Sequence, residues 1–330
     1  MVGPFFVFCR AELGYRTGMF RTAQDVARLL PWPELIAAIE QILADENATA
    51  PERTVHSAPT SGGPDAALLL KPGWVVGDVI AVKAVTFFPD NGERDLPTVN
   101  AGVLLFSGVD GRLIGACDGN ELTTRRTAAA SAVAAKRLAR KDAKRLLVVG
   151  TGALSPMVAL AHSAVRDYDT VEIWGRDSGK ALRVANGLIA ESISARAVDD
   201  LDSAVAEADV ITSVTGATAP LVKGELLKPG THVDLIGSFT PAMRESDDAV
   251  MVRGTIFVDS RPDGTIAGDL SQPLSAGVIT DEDIVSDLAG LVNGSHVGRA
   301  SNDEITVFKS AGIALEDVAA AKLVFSDALD

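Results

Sequence analysis

The sequence predicts an α/β protein of two domains, one built on a doubly wound parallel sheet and a smaller, mostly antiparallel α+β domain. Strands and helices alternate after residue 144, which is typical of a parallel sheet covered by helices. Short strands separated by turn residues fill positions 66–115 without intervening helices, which indicates antiparallel pairing. A chain of 330 residues, 47% hydrophobic and 22% charged, is long and apolar enough for two cores.

The smaller domain is predicted over residues 19–122, after an extension, 1–18, that stands outside both domains. Apolar residues at helical spacing predict two helices near its start, which Pro31 and Pro33 separate. Its strands are predicted at the runs AALLL, VIAVKAVTF, TVNAGVLLF and LIGAC, with a DGR hairpin turn between the last two. A helical tail, 311–330, is expected to return to this domain and complete it.

The parallel sheet is predicted within residues 123–310. This part opens with an Ala-rich helix from Thr123 to Arg140, for which Thr123 or Thr124 is the expected N-cap. The predicted elements that follow are the strand RLLVVG, a helix over 154–166, the strand TVEIWG, a helix over 178–190, and the strands ADVITSVT, HVDLIGS and TIFVDS. Short loops between alternating strands and helices predict a doubly wound sheet.

A glycine loop after the first of these strands predicts a dinucleotide site. The string GTGALS has serine where the third glycine of a G-x-G-x-x-G motif usually stands. The motif alone is weak evidence, but here a strand leads into it and a helix leaves it. Gly150 permits a tight turn, Gly152 lets the backbone approach a pyrophosphate, and the helix N-terminus offers N–H groups. The candidate cofactor residues of this Rossmann domain are Gly150, Thr151, Gly152, Ala153 and Leu154.

The end of the second strand indicates which dinucleotide binds. Enzymes that use NAD place an acidic side chain about 20 residues after the glycines, where it binds the ribose 2′-hydroxyl. Here the strand ends in Gly175, and Arg176 and Ser178 suit a 2′-phosphate, which favours NADPH. The Asp177 carboxylate is able to accept a hydrogen bond from a ribose 2′-hydroxyl, so NADH stays an alternative. The alternative for Arg176 is that it is a solvated charge on the loop with no role in cofactor binding.

Charge and cysteine content exclude several classes of function. The net charge of −14 and the pI of about 4.7 argue against nucleic acid or an anionic membrane as a partner. No apolar run reaches the ~18 residues that span a bilayer. The two cysteines and four histidines form no metal-spaced cluster, so no metal is expected. A cytoplasmic protein with reduced thiols is expected.

Basic side chains in unusual positions suggest a pocket for a small carboxylate. Lys83 lies inside an apolar strand, where a charge is costly unless it meets an anion. Lys71 ends the run ALLLK, Arg53 follows soon after a proline, and Arg125 and Arg126 lie near the start of the Ala-rich helix. Each one alone is more often a surface charge. Together they suit the binding of a carboxylate, for which bidentate arginine geometry is efficient.

Five strings taken together resemble the ornithine cyclodeaminase/mu-crystallin family. They are VKAVTFFPDN (82–91), LPTVNAGVLLF (96–106), ELTTRRTAAASAVAAKRLA (121–139), VVGTGALS (148–155) and GRASNDEITVFKSAGIALEDVAAA (298–321). They cover most of the chain from about residue 50 onward, and the last lies outside any general Rossmann pattern. The resemblance implies a homodimer whose first domain, completed by the C-terminal tail, supplies the interface and half of the substrate pocket.

The resemblance also implies roles for individual residues. Family members bind the substrate carboxylate and imine with an arginine, a strand lysine and a helix arginine. Those positions resemble Arg53, Lys83 and Arg126 here, with Thr98 alongside, and Lys83 is the candidate catalytic residue. The positions that match residues near the cofactor are Arg126, Thr127, Thr215 and Ser301.

Two positions depart from the family pattern. In the cyclodeaminases and the alanine dehydrogenases of the family, a catalytic aspartate follows the strand that resembles HVDLIG. Here Phe239 occupies that place, and a phenylalanine neither takes a proton nor holds a water for attack. Ketimine reductases of the mu-crystallin type lack the aspartate as well. Lys71 stands where many relatives have methionine and adds a cation near the substrate.

The ketimine-reductase branch of the family is therefore favoured. The expected reaction is reduction of Δ1-pyrroline-2-carboxylate or Δ1-piperideine-2-carboxylate by NADPH or NADH, giving L-proline or L-pipecolate. The candidate substrate-binding residues are Arg53, Lys71, Lys83, Thr98, Arg126 and Phe239. Ornithine cyclodeamination and reductive amination of pyruvate remain alternatives that Phe239 disfavours. A non-enzymatic protein that holds NADPH and a small acid is another, disfavoured by the retention of Lys83 and Arg126 in their motifs.

Overall fold

Two β-sheets organise the chain in the computed structural model, which describes residues 19–329. The predicted extension, 1–18, lies outside the described residues. One sheet has seven strands and is mostly antiparallel, and the other has eight strands, all parallel. The fold class predicted from the sequence is confirmed. No helix among residues 19–329 is long and apolar enough to cross a bilayer.

The antiparallel sheet is built from the first part of the chain. Its elements and the helices that cover it are β1 (Phe20–Arg21), α1 (Ala23–Leu29), α2 (Trp32–Leu43), β2 (Ala48–Thr49), β3 (Thr54–Ala58), β4 (Ala66–Val75), β5 (Val79–Phe87), β6 (Val99–Ser107), β7 (Leu113–Asp118) and α3 (Gly119–Leu138). The strand order is β1-β7-β6-β5-β4-β2, with β3 also paired to β4. The alternating residues of β5 and β6 that face the helices, among them Val79, Ala81, Val103 and Leu105, are buried.

Helix α3 starts four residues before the predicted position. The Asp118 side chain accepts a hydrogen bond from the Glu121 backbone N–H at 2.8 Å and is the N-cap. The expectation of Thr123 or Thr124 as N-cap is therefore wrong. The cap at Asp118 places Thr123 and Arg126 within the first two turns of α3 instead of at its start.

The parallel sheet contains the remaining strands. The elements are β8 (Arg145–Val149), α4 (Leu154–Ser163), β9 (Thr170–Trp174), α5 (Ser178–Ala190), β10 (Ala195–Val198), α6 (Leu201–Glu207), β11 (Val210–Ser213), β12 (His232–Leu235), α7 (Asp248–Arg253), β13 (Thr255–Val258), α8 (Arg261–Gly264), α9 (Gly268–Ser275), β14 (Ile284–Asp287), α10 (Leu288–Asn293), β15 (Thr306–Lys309) and α11 (Ala314–Val324). The order is β10-β9-β8-β11-β12-β15-β13-β14. Strand β15, which the sequence patterns did not reveal, lies between β12 and β13.

Two helices connect the sheets. Helix α3 packs against α4 on one side and α2 on the other, and its buried alanines allow close approach on both sides. Helix α11 leaves β15 and packs against α2, α3, β4 and β5. The carboxyl edge of the parallel sheet is thereby joined to the helix-covered face of the antiparallel sheet.

Candidate active site

Among the segments at the carboxyl edge of the parallel sheet, the loops that follow β8, β11, β12 and β15 form the site. The direction of strand order reverses between β8 and β11, and open parallel sheets bind ligands in the crevice at such a switch point. The Gly150 loop follows β8 and lies at this point.

The Gly150 loop fits a dinucleotide pyrophosphate. Gly150 has φ +130°, and a Cβ there would lie 2.8 Å from the Val214 carbonyl oxygen. A Cβ at Gly152 would meet nothing within 4 Å, so the backbone is open to a close ligand. Helix α4 begins without a side-chain cap at Ala153, which leaves its first N–H groups for an anion. Ser155, fully buried, donates a hydrogen bond to the Gly150 carbonyl at 2.9 Å.

The segment after β9 gives Arg176 and Asp177 different positions. Asp177 is the N-cap of α5 and accepts a hydrogen bond from the Lys180 N–H at 3.0 Å. Arg176 and Ser178 are exposed. A Cβ at Gly175 would lie 2.5 Å from Thr151 Cγ2, so this strand end touches the glycine loop. Arg176 is therefore placed beside the loop with its charge in solvent.

Glu245 joins the loops that follow β11 and β12. Its fully buried carboxylate accepts hydrogen bonds from Ser213 Oγ at 2.6 Å and the Thr215 N–H at 2.7 Å. The other oxygen accepts from the Gly237 N–H at 2.7 Å and the Ser238 N–H at 3.1 Å. The position of Thr215, a predicted cofactor residue, is thus set by a carboxylate that the sequence patterns did not indicate.

A second buried ion pair supports Glu245. Lys309, at the end of β15, has its Nζ 3.3 Å from Asp269 Oδ2, and both side chains are fully buried. The other Asp269 oxygen accepts a hydrogen bond from the Glu245 N–H at 2.7 Å. Burial raises the pKa of Glu245, and Asp269 adds to this rise while Lys309 opposes it.

The predicted cations converge where α3, β4, β5 and α11 meet. Lys83 is 2% exposed, and its Nζ lies 2.7 Å from Asp317 Oδ1 and 3.1 Å from Thr123 Oγ1. Lys71 lies directly opposite Lys83 on the neighbouring strand and donates a hydrogen bond to the Gly312 carbonyl at 2.7 Å. Gly312 follows β15, so the lysines reach the carboxyl edge of the parallel sheet.

Arg126 completes the buried part of this cluster. Its guanidinium pairs with Glu316, and its Nε lies 2.8 Å from Asp317 Oδ1. Glycine is favoured at position 312 for two reasons. A side chain there would collide with this guanidinium, and the backbone has φ +80°. Arg126 thus faces the same loop as Lys71.

Acids of the Rossmann domain hold the outer parts of the cluster. Asp263 Oδ1 in α8 lies 3.7 Å from Arg53 Nε. The buried Asp259 carboxylate accepts hydrogen bonds from Ser310 Oγ at 3.1 Å and the Ala311 N–H at 2.6 Å, which fixes the loop between β15 and α11. The structure therefore brings Arg53, Lys71, Lys83 and Arg126 together at one site between the two sheets.

Burial and neighbouring charges shift the protonation of this cluster. Burial, and then the Arg126 charge, lowers the pKa of Lys83 to about 7, against the opposing effect of Asp317. Burial raises the pKa of Glu316 to about 7, although Arg126 opposes the rise. Burial also acts to raise the pKa of Asp317, but Arg126 and Lys83 outweigh it and the pKa is lowered. Lys83 and Glu316 are therefore both able to exchange protons near neutral pH.

Three other residues predicted for the site, Thr127, Phe239 and Thr98, lie outside the buried group of cations. Thr127 follows Arg126 in α3 and is buried. Phe239 lies in the loop after β12 with 53% of its surface exposed. Thr98 lies immediately before β6 and five residues before Val103, which is paired with Lys83. Five residues of strand extend about 16 Å. The structure does not bring Thr98 to the cations.

Ser301 lies at the opposite edge of the parallel sheet. It precedes β15, and its Oγ accepts a hydrogen bond from the Glu304 N–H at 3.2 Å. The nearby Asp303 carbonyl accepts a hydrogen bond at 3.0 Å from the Gly230 N–H, just before β12 begins. Because the strands are parallel, this amino edge faces away from the Gly150 loop. The structure does not place Ser301 with the cofactor residues, contrary to the expectation.

The acids of the site were missed by the sequence patterns. Glu316 and Asp317 are fully buried within an apolar, Ala-rich tail, where two adjacent charges are unusual. That setting is the signal that had pointed to Lys83 in its strand. Glu245 stands among polar neighbours, and Asp259 comes at the end of an apolar strand, where a polar residue is common, so neither carries such a signal.

Comparison with known proteins supports the arrangement. The model of the ornithine cyclodeaminase/mu-crystallin family matches residues 16–330. A Δ1-pyrroline-2-carboxylate reductase of Paracoccus denitrificans is 37% identical over 308 residues, 92% of this chain and 95% of the relative. The solved structure of the Thermococcus litoralis Δ1-pyrroline-2-carboxylate reductase with NADH and L-proline is 30% identical, with TM-score 0.88, covering 94% of this chain and 97% of the other.

An archaeal alanine dehydrogenase dimer with bound NAD is 29% identical, with TM-score 0.87, covering 94% of this chain and 96% of the other. These matches extend over both sheets and not over the Rossmann domain alone. The chain therefore belongs to the ornithine cyclodeaminase/mu-crystallin family and, like its reductase relatives, is an oxidoreductase.

Proposed function

We propose that this protein reduces a cyclic imine carboxylate, Δ1-pyrroline-2-carboxylate or Δ1-piperideine-2-carboxylate, to L-proline or L-pipecolate. The observation that carries the proposal is the buried group of Lys83 and Arg126 beside the sheet edge at which dinucleotides bind. The Paracoccus relative is named for the first reaction, and the Thermococcus structure contains NADH and L-proline. Phe239 supports reduction over cyclodeamination, because it has no group that activates water.

The cofactor in this proposal is NADPH, with NADH as the alternative. The backbone of 150–154 holds the pyrophosphate, and Thr127 and Thr215 lie beside the nicotinamide half. Asp177 already caps α5, whereas Arg176 is exposed beside the glycine loop and suits a 2′-phosphate. The bound cofactor supplies a hydride to the imine carbon.

The side chains of this chain bind, orient and protonate the substrate. Arg53 and Arg126 bind its carboxylate, for which the planar guanidinium is suited. The Lys83 ammonium lies at the pocket floor and gives its proton or a hydrogen bond to the imine nitrogen, so that the amine product gains one hydride and one proton. Asp317 holds this ammonium at 2.7 Å. A protonated imine is already electrophilic, so positioning and exclusion of water supply much of the acceleration.

The reaction is tested with purified protein, NADPH and each imine, followed as loss of NADPH absorbance. We expect saturable turnover of at least one imine and its loss in Lys83→Met. Lys322→Met is the matched control, since Lys322 lies on the exposed side of α11. No absorbance loss with either imine would end the proposal, and release of ammonia from L-ornithine with NAD would support cyclodeamination instead.

We also propose that two copies pair through the outer face of the antiparallel sheet. Ile80 and Leu104 point away from the helices on this face and are 37% and 41% exposed, with Val82 between them. The archaeal alanine dehydrogenase is a dimer. Leu104→Asp should lower the mass measured by light scattering to that of one chain. Val109→Asp, in the hairpin turn between β6 and β7, is the control and should leave the dimer intact.

A further inference from the structure

Lys71 carries a buried charge that stands opposite another buried charge. Lys71 is 8% exposed, and the register of β4 and β5 places it directly opposite Lys83. Opposite residues of antiparallel strands have Cβ atoms about 5 Å apart on the same face of the sheet. Two ammonium groups in this arrangement repel each other, and the repulsion is stronger away from water.

The contacts that the structure gives Lys71 do not offset its charge. Within residues 19–329, its ammonium donates one hydrogen bond, to the Gly312 carbonyl at 2.7 Å. The nearby acids Asp263, Glu316 and Asp317 are each paired with another cation of the site and form no ion pair with Lys71. An ammonium has three N–H donors, so two of them remain for the carboxylate of a ligand.

The protonation of Lys71 agrees with this geometry. Its pKa is lowered, first by burial and then by the Arg126 charge. Asp317, Asp263 and Glu316 act in the opposite direction without outweighing the first two effects. An anion bound beside Lys71 therefore gains a charge-assisted hydrogen bond and relieves repulsion among the cations.

We propose that Lys71 binds a second carboxylate of the substrate, so that the preferred imine is a dicarboxylate. This inference rests on the proposed imine reduction, in which Arg53 and Arg126 bind the carboxylate on the imine carbon. A substrate with that carboxylate alone provides no anion for the Lys71 ammonium. A second carboxylate on the same molecule supplies the anion.

Two cyclic imines with the same ring test the proposal, Δ1-piperideine-2-carboxylate and Δ1-piperideine-2,6-dicarboxylate. Values of kcat/KM are measured for both imines with the wild type, Lys71→Met and Lys71→Arg. The wild type should favour the dicarboxylate by about tenfold or more, because a site built to pair with a charge rejects the analogue that lacks it. Lys71→Met should reduce this preference by about tenfold or more, and Lys71→Arg, which keeps the charge, should retain most of it.

Each remaining outcome has a defined meaning. Equal losses for the two imines in Lys71→Met would show that Lys71 binds the carboxylate they share, and would overturn the inference. A wild type that prefers the monocarboxylate would also overturn it while leaving imine reduction intact. Reduction of neither imine by the wild type would refute the proposed function itself. Thermal unfolding of Lys71→Met, expected at or above the wild-type temperature because a buried charge is removed, shows that the variant is folded.

Discussion

Replacing Asp317 by asparagine tests the charge on which the site depends. Asp317 Oδ1 lies 2.7 Å from Lys83 Nζ and 2.8 Å from Arg126 Nε, and its side chain is 2% exposed. Asp317→Asn keeps the size of the side chain and removes its charge. The change therefore removes the charge that faces both Lys83 and Arg126, and the pH dependence of kcat/KM separates its effect on the Lys83 proton from any pH-independent effect through Arg126.

The expected effect follows from the protonation of Lys83. Its pKa is about 7, lowered first by burial and then by Arg126, while Asp317 acts to raise it. An opposite charge in contact shifts a pKa by about 1–3 units, so Asp317→Asn lowers the pKa of Lys83 by about that amount. If the Lys83 ammonium supplies the proton, kcat/KM is constant below this pKa and falls above it. We expect a loss of about 10- to 1000-fold at pH 8 and at most about tenfold at pH 5.

The assay compares kcat/KM from about pH 5 to 9 with one imine, since this parameter reports the free enzyme. The ionisation of the imine is common to both proteins and cancels in the comparison. Asp78→Asn is the matched control, because Asp78 pairs with Lys322 on the exposed side of the same helix, α11. Its pH profile should match that of the wild type.

Superimposable profiles for the wild type and Asp317→Asn would refute the assignment of the proton to Lys83. Burial raises the pKa of Glu316 to about 7 as well, so Glu316→Gln is measured beside it. A fall at alkaline pH that persists in Glu316→Gln and shifts in Asp317→Asn belongs to Lys83. Removing one partner of a buried ion pair costs about 3–5 kcal/mol of folding stability. In Asp317→Asn, Lys83 limits this cost by releasing its proton. Thermal unfolding checks that the variant folds.

Arg176→Ala should raise the dissociation constant of NADPH about tenfold or more and leave that of NADH nearly unchanged, since charge-assisted hydrogen bonds are worth about 1.5–3 kcal/mol. Fluorescence titration measures both dissociation constants. Gly312→Ala should raise the KM for the imine about tenfold or more in steady-state assays, because the added Cβ collides with Arg126 and strains the backbone by about 1–3 kcal/mol. Glu245→Gln should lower kcat about tenfold and change cofactor affinity less, because it loosens the loops after β11 and β12. Phe239→Asp should lower kcat/KM for the imine, because a nearby carboxylate stabilises the protonated imine in its ground state.

Each of these variants has a result that would contradict the reasoning. Equal losses of NADPH and NADH affinity would show that Arg176 supports its loop without binding the phosphate. A normal KM in Gly312→Ala would mean that Arg126 does not bind the substrate from its observed position. Parallel losses of kcat and cofactor affinity in Glu245→Gln would assign that residue to the fold alone. Unchanged imine kinetics in Phe239→Asp would show that this side chain points away from the substrate.

The Rossmann half of the fold could be predicted because its signals are local. Strand β8 is an apolar run, Gly150 marks the turn after it, and α5 begins at Ser178 as the pattern predicts. Strand β15 was missed because it has only four residues, TVFK, and both its first and its last residue are polar, so no apolar run or alternation of useful length marks it. Without β15, the edge of the sheet on which Ser301 lies could not be recognised.

The acidic half of the site could not be predicted because it depends on contacts between distant parts of the chain. Asp317 is 234 positions from Lys83 in the sequence. The apolar setting of Lys83 predicts that an anion is needed, but it leaves open whether the protein or the ligand supplies it. Among residues 19–329, the structure supplies Asp317 to Lys83 and only a carbonyl to Lys71. Periodicity in either strand does not distinguish these two cases.

The segment from Lys309 to Asp317 explains why the resemblance in the C-terminal string is so specific. At its start, Lys309 pairs with Asp269, which in turn holds Glu245 and the loops beside the cofactor edge. At its end, Asp317 pairs with Lys83 of the antiparallel sheet. A shift of this short segment would move both charge clusters at once. In the proposed reaction the hydride must arrive where the imine is held, so the geometry of that reaction depends on this segment, which a general Rossmann domain does not require.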